Sequence, residues 1–383
     1  MKLIRSGALG ALASLLLAAC GGGGNDATPK VNITSVKVMG DSLADSGSFG
    51  YKFTVQSAGS LIYPERVAQS YGIASLCPHY LATSATTFAV NPASGCSNYA
   101  IGGGRINNFS APTSPVSIVQ QLKDASATAS YGAGDLLVID GGGNDAADLV
   151  GAYLGAASDG GASYSALLGT VLAPATVAAA LATGPAGFAS IGGQYLGALA
   201  DVFAGAIATN ALDRGAERVV VVNMPGITNT PRFQTVLDSI AAASGGGAAG
   251  ATARAQAEGL FQSWIVAFNT ELAARFDANS KVIVVDVYTN LNDEIATPPQ
   301  YLLANVKTPA CPVTGVGSDG LPTYDFPHCT DAALSAQTPP AGSTGGADWW
   351  RSYLFSDSFH PTPYGHQLLA QLIARSLATA GWL

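Results

Sequence analysis

VKVMGDSLADSGSFG, residues 36–50, decides how this chain is read. An apolar alternation through Val36, Val38 and Met39 stops at Gly40-Asp41-Ser42. Alternation over β-branched residues marks a strand, and a Gly-Asp break after it marks a turn. The first strand is therefore expected at about residues 34–39, ending in a glycine-flanked turn that carries Ser42. By itself Ser42 could be a turn residue or a helix N-cap. It could equally be a hydroxyl displayed for attack at the edge of a sheet.

The rest of the chain says what kind of sheet this is. LIYPERVAQSYG reads as a helix entered through Pro64 and closed by Gly72. SNYAIGGG reads as a short strand ending in glycines, and SPVSIVQQLKDA as an amphipathic helix. DLLVIDGGGND, ERVVVVNMPG and KVIVVDVY are apolar strands of the kind buried on both faces, the last two separated by a long helix through ARAQAEGLFQSWIVAFNTELAARF. Thr362 and Pro363 supply the N-cap and first position of a final helix reaching about Ala378. Strands alternating with helices predict a three-layer α/β/α sandwich around a mainly parallel, flavodoxin-like sheet.

Of the 383 residues 48% are hydrophobic and only 11% charged, so the chain can bury a large core under a surface rich in small residues. With a net charge of -8 and scattered Lys and Arg, no footprint for a phosphate backbone exists, and nucleic acid is not expected as a partner. Nothing in the sequence signals an obligate protein partner. No charged residue occurs between Asp159 and Asp201, yet that stretch is mostly Ala and Gly and is broken by Pro174 and Pro185, so residues 151–200 are expected to be a helical insertion rather than a membrane span. Residues 296–350 dissolve into Pro, Gly and Thr and are expected to form a long loop held by a disulfide.

Residues 1–19 place Lys2 and Arg5 before an apolar run too short to span a bilayer, which reads as an export signal. Its end, LAAC, resembles the lipobox of bacterial lipoproteins, in which Cys20 becomes the lipid-modified first residue. The alternative is an ordinary signal peptide with Cys20 incidental. Residues 20–32 then read as a Gly-rich tether and 33–383 as the folded domain. Gly21 after the cysteine suggests, by resemblance, sorting to the outer membrane; a secreted or periplasmic protein is the alternative. Setting Cys20 aside leaves Cys77, Cys96, Cys311 and Cys329, an even number in an exported chain with no C-x-x-C, so two disulfides are expected. Of the three connectivities, pairing 77 with 96 and 311 with 329 would staple two local loops, each worth about 3 kcal/mol.

Three glycine-rich breaks follow three predicted strands, at Gly40-Asp41-Ser42, Gly102-Gly103-Gly104 and Gly142-Gly143-Asn144-Asp145. The carboxyl ends of strands in an open parallel sheet are where such folds place ligands. Near the C-terminus, YLFSDSFHPTPYGHQ adds Asp357 and His360, with Pro361 keeping His360 out of the last helix. The blocks GDSLADSG, NYAIGGG, GGGND and DSFHPT together resemble those of the GDSL, or SGNH, family of serine esterases and lipases, in its secreted bacterial branch. VVNMPGITNTP and YLLANVKTPAC agree with linking segments of the same branch.

A serine hydroxyl needs a base, which an imidazole supplies near neutral pH, and a carboxylate orients that imidazole. Ser42, His360 and Asp357 are the expected nucleophile, base and orienting acid. The resemblance implies an oxyanion hole made by the backbone N–H groups of Ser42 and Gly103 and the Asn144 amide, with no metal or cofactor. His79, His328 and His366 are assigned to solvent or packing, and Asp41, Asp45 and Asp145 to turns and caps. Phe49, Tyr51 and Phe53 line an acyl pocket or simply pack in the core. The implied activity is hydrolysis of carboxylic esters, with acyl lipids or other small esters as substrates. Phospholipase, thioesterase and carbohydrate deacetylase activities, or a non-catalytic envelope-binding lipoprotein, are the alternatives.

Overall fold

The computed structural model describes residues 31–128 and 130–383; the expected export signal, Cys20 and most of the expected tether lie outside them. In chain order the elements are β1 (Ser35–Met39), α1 (Tyr63–Ser70), β2 (Tyr80–Ala82), β3 (Phe88–Val90), α2 (Ile118–Thr128), β4 (Asp135–Ile139), α3 (Gly143–Asp159), α4 (Ala162–Leu168), α5 (Pro174–Ala182) and α6 (Pro185–Asn210). They continue with β5 (Val219–Val222), α7 (Pro231–Ala243), α8 (Gly247–Phe276), β6 (Val282–Val285), α9 (Val287–Ala296), β7 (Gly315–Val316), β8 (Pro322–Thr323), α10 (Asp331–Ser335) and α11 (Pro363–Thr379).

β1, β4, β5 and β6 form a parallel sheet in that order, in register through Val38–Val138, Val138–Val220 and Val220–Ile283. Because successive strand residues point to opposite faces, each strand feeds two cores. Val36, Val38, Leu136 and Val138 pack under α1 and α11; Met39, Leu137, Ile139, Val219 and Val221 pack under α2, α6 and α8. Helices on both faces complete the expected three layers. The segment SNYAIGGG departs from expectation: it forms no strand, only bridges from Asn98 to Val38 and to Pro78. It still runs beside β1, with Val38 N donating to Ser97 O at 3.0 Å and Tyr99 N to Val38 O at 2.7 Å. Asn98 also turns its side chain back to Ala44 O, which ties this edge to the loop after β1.

The Ala/Gly-rich stretch is helical: residue 151 lies within α3 and residue 200 within α6. Among the described residues one helical run, Pro185–Arg214, is long and apolar enough to cross a membrane. Its Ile191, Tyr195, Leu199, Phe203 and Ile207, four residues apart and buried, face the sheet and α8. The cysteines pair as Cys77–Cys96 and Cys311–Cys329. The second bridge lies within the segment 298–352, which is tied to the loop before α11 where Cys311 N donates to Ser356 O at 2.7 Å.

Candidate active site

The turn after β1 is fixed from two sides. Gly40 has no room for a side chain, since a Cβ there would lie 1.8 Å from Asp140 Oδ1. Gln121 of α2 clamps its peptide group, accepting from Gly40 N at 2.7 Å and donating to Gly40 O at 3.0 Å. Asp140, just past β4, accepts from Asp41 N at 2.9 Å and from the Tyr63 hydroxyl at 2.7 Å. Asp41 in turn accepts from Leu43 N at 2.9 Å, closing an Asx turn around Ser42.

His360 reaches that turn from the far end of the chain. Asp357 Oδ1 accepts from Phe359 N at 2.8 Å and His360 N at 2.6 Å, bending the backbone back on itself. Its Oδ2 lies 2.8 Å from His360 Nδ1, and His360 Nε2 lies 2.7 Å from Ser42 Oγ. A carboxylate can only accept, so Nδ1 carries the proton and Nε2 is left to accept from the serine hydroxyl. Burial pushes the Asp357 carboxyl up, but the His360 imidazole and the two backbone donors outweigh it and hold it below the usual carboxylate range. Phe53 and Phe326 flank the imidazole, with ring centroids 5.2 and 5.6 Å from it.

The third component is a set of N–H groups. Neither Ser42 N nor Gly103 N donates to a protein acceptor among the described residues. Gly103 sits at φ +79°, a conformation that strains any residue with a Cβ. Asn144, in the first turn of α3, donates one amide proton to Gly104 O at 3.0 Å and keeps a second. Asp145 is not a cap for its own helix: its carboxylate accepts from Ile106 N at 3.0 Å and Asn107 N at 2.8 Å and so pins the glycine loop to α3. Burial raises it to about 6, against those two donors. Arg105 completes the tie, held by Asp148 at 2.5 Å while donating to Gly103 O at 2.6 Å. Asp45 does act as a turn residue, accepting from Gly47 N and Ser48 N, and it also accepts from Gly102 N at 2.9 Å.

These groups line one cleft of about 420 Å³ that includes Ser42, Gly103, Asn144, Asp357 and His360. The model of the GDSL-like lipase/acylhydrolase family matches residues 36–373. The chain belongs to that family. Membership makes it a hydrolase of the broad esterase and lipase type. No curated protein matches it. Among solved structures it is similar to the extracellular lipase from Streptomyces rimosus, at 16% identity over 90% of this chain and 99% of that one, with a TM-score of 0.38.

This GDSL-family chain also uses residues that its sequence does not advertise. Gln121, Asp140 and Tyr63 hold the Ser42 turn only through tertiary contacts; Asp140, directly before GGGND and at the end of an apolar strand, is the one with a local signal. Asp41 and Asp140 are both buried beside one another, and burial raises both carboxyls. Of the aromatic residues after Ser42, Phe53 lines the cleft, whereas Phe49 and Tyr51 pack behind it. His79 stacks on Tyr99, His328 is exposed beside Asp325, and His366 is fully buried with Nδ1 accepting from Tyr63 N. Among the described residues no group of three His, Cys, Asp or Glu side chains is arranged to hold a metal ion.

Proposed function

We propose that the protein hydrolyses carboxylic esters through an acyl-enzyme on Ser42. The observation that carries this reading is the continuous chain from Ser42 Oγ through the His360 ring to Asp357, with links of 2.7 and 2.8 Å. His360 Nε2 takes the hydroxyl proton as Oγ adds to the carbonyl carbon. The resulting oxyanion is received by the N–H groups of Ser42 and Gly103 and the second amide proton of Asn144, donors that are fixed before the reaction begins. His360 then returns the proton to the leaving alkoxide, and water repeats the sequence to release the acid. Acyl lipids or other water-insoluble esters are the proposed substrates. Two disulfides and the LAAC sequence support export with a lipid anchor on Cys20, in the outer membrane or at the cell surface.

Hydrolysis of p-nitrophenyl esters tests the reading. The wild type is expected to turn them over and Ser42→Ala to lose about 10⁴-fold or more in kcat while remaining folded. A panel adding phospholipids and acetylated sugars assigns the alcohol. A well-folded wild type inert toward the whole panel would refute the proposal and leave a binding module.

A further inference from the structure

The cleft over Ser42 does not end at the reacting groups. Ala147 and Arg232 line both this cleft and a second cavity of about 540 Å³, walled by α3, α7 and residues 319–321. Val150 and Leu154 of α3 face Val236 and Ile240 of α7 across it. Leu154 is 37% exposed, so its side chain is open to an occupant of the cavity. Midway along the α3 wall stands Gly151, where an added Cβ would meet nothing within 4 Å. The groove shares a frame with the triad: Arg232 N, in the first turn of α7, donates to Ser358 O at 2.8 Å, inside the loop that presents His360.

The chemistry orients a substrate along this path. The imidazole gives its proton to the leaving group, so the alcohol must sit beside His360, against Phe53 and Phe326. The acyl part then points the other way, toward Asn144 and on past Ala147. From Ala147 to Leu154 the helix rises about 10 Å. An extended chain covers roughly 1.2 Å per bond, so about eight methylenes fit beyond the cleft.

We propose that the groove between α3 and α7 binds the acyl chain and sets a preference for linear acyl groups of about ten carbons. This rests on the ester-hydrolase reading of the site. The groove is mostly apolar and adjoins the Ser42 cleft at Ala147 and Arg232, and its two charged lining residues, Arg232 and Asp319, pair with each other at 3.0 Å.

The test is the ratio of kcat/KM for p-nitrophenyl decanoate to that for the acetate, because acetate does not reach past Ala147. Each seated methylene raises kcat/KM about two- to fourfold, so the wild-type ratio should exceed about 10². Gly151→Trp, which fills the groove from one wall, should lower the ratio about 10- to 30-fold, and Val236→Trp should do so from the other. A wild-type profile that peaks at butyrate, or both variants hydrolysing acetate with the wild-type ratio within twofold, overturns the assignment of the groove while leaving the hydrolase in place. A folded wild type that cleaves no ester of any length overturns the reading on which the groove depends.

Discussion

At the carboxyl edge of the sheet, the backbone of Gly40, Asp41, Gly102, Gly104, Ile106 and Asn107 is held by directional hydrogen bonds to side chains, those of the buried Gln121, Asp140, Asp45 and Asp145 and the half-buried Asn144. In the helical layer a few residues away, α6 lies on α8 through side-chain contact. Its long-range polar ties are few, such as Trp264 Nε1 to Ala189 O at 2.9 Å and Asn107 to the Tyr195 hydroxyl. Hydrogen bonds to fixed partners define angles, which a reaction needs; apolar packing defines only volume, which a cover needs. The edge should therefore answer substitution in rate, and the layer in stability.

Asn144→Ala gives the largest effect on which the contrast can break. If it is the oxyanion donor proposed above, its loss should lower kcat about 10²- to 10³-fold with thermal stability little changed. An equal loss in rate and stability would mean that Asn144 is merely structural.

The buried His366 under α1 offers a pH test. Burial, with smaller contributions from His360, Arg66 and Lys52, lowers it to about 3. Between that value and the ordinary 6.5 the unfolded chain binds the proton and the folded one does not, so stability falls as pH drops. About 2–3 kcal/mol should be lost through this group between pH 6.5 and 4.5. Asp145 and Glu294, raised by burial to about 6 and about 7, act in the opposite sense, favouring the fold as pH falls. Urea midpoints of His366→Gln and wild type at both pH values isolate the histidine, and parallel losses would show that it contributes nothing.

Within α6 two glycines sharpen the comparison further. A Cβ at Gly192 would meet the Trp264 ring at 2.4 Å, whereas at Gly197 it meets nothing within 4 Å. Gly192→Ala should cost about 1–3 kcal/mol; Gly197→Ala should gain about 0.5–1 kcal/mol. Neither should move kcat. If Gly192→Ala slows turnover as much as it lowers stability, the layer is not the passive cover described.

The same division explains what could be read from the chain. β1, β4, β5 and β6 are legible because apolar β-branched runs announce buried strands, and α11 because Thr362 and Pro363 announce its start. Thr230-Pro231 before α7 and Asp286 before α9 carry the same kind of signature, each side chain capping its helix. The residues of the proposed triad stand out through chemistry and order along the sequence. Their supports do not. Gln121 looks like any polar residue on an amphipathic helix, and Asp145 looks like an ordinary first-turn acid; only the fold reveals what each holds. Ser97–Ile101 reads as a strand from its composition, yet the backbone of Asn98 pairs with Cys77 O and His79 N, and only isolated bridges form.

Labelling with a fluorophosphonate, followed by peptide mass analysis, addresses the reacting serine itself. One adduct on Ser42 is expected in the wild type, with the rate of labelling falling at least about 10²-fold in His360→Ala once the general base is gone. Modification of a different serine, or an undiminished rate on Ser42 without the imidazole, would contradict the hydrogen-bonded chain on which the catalytic account stands.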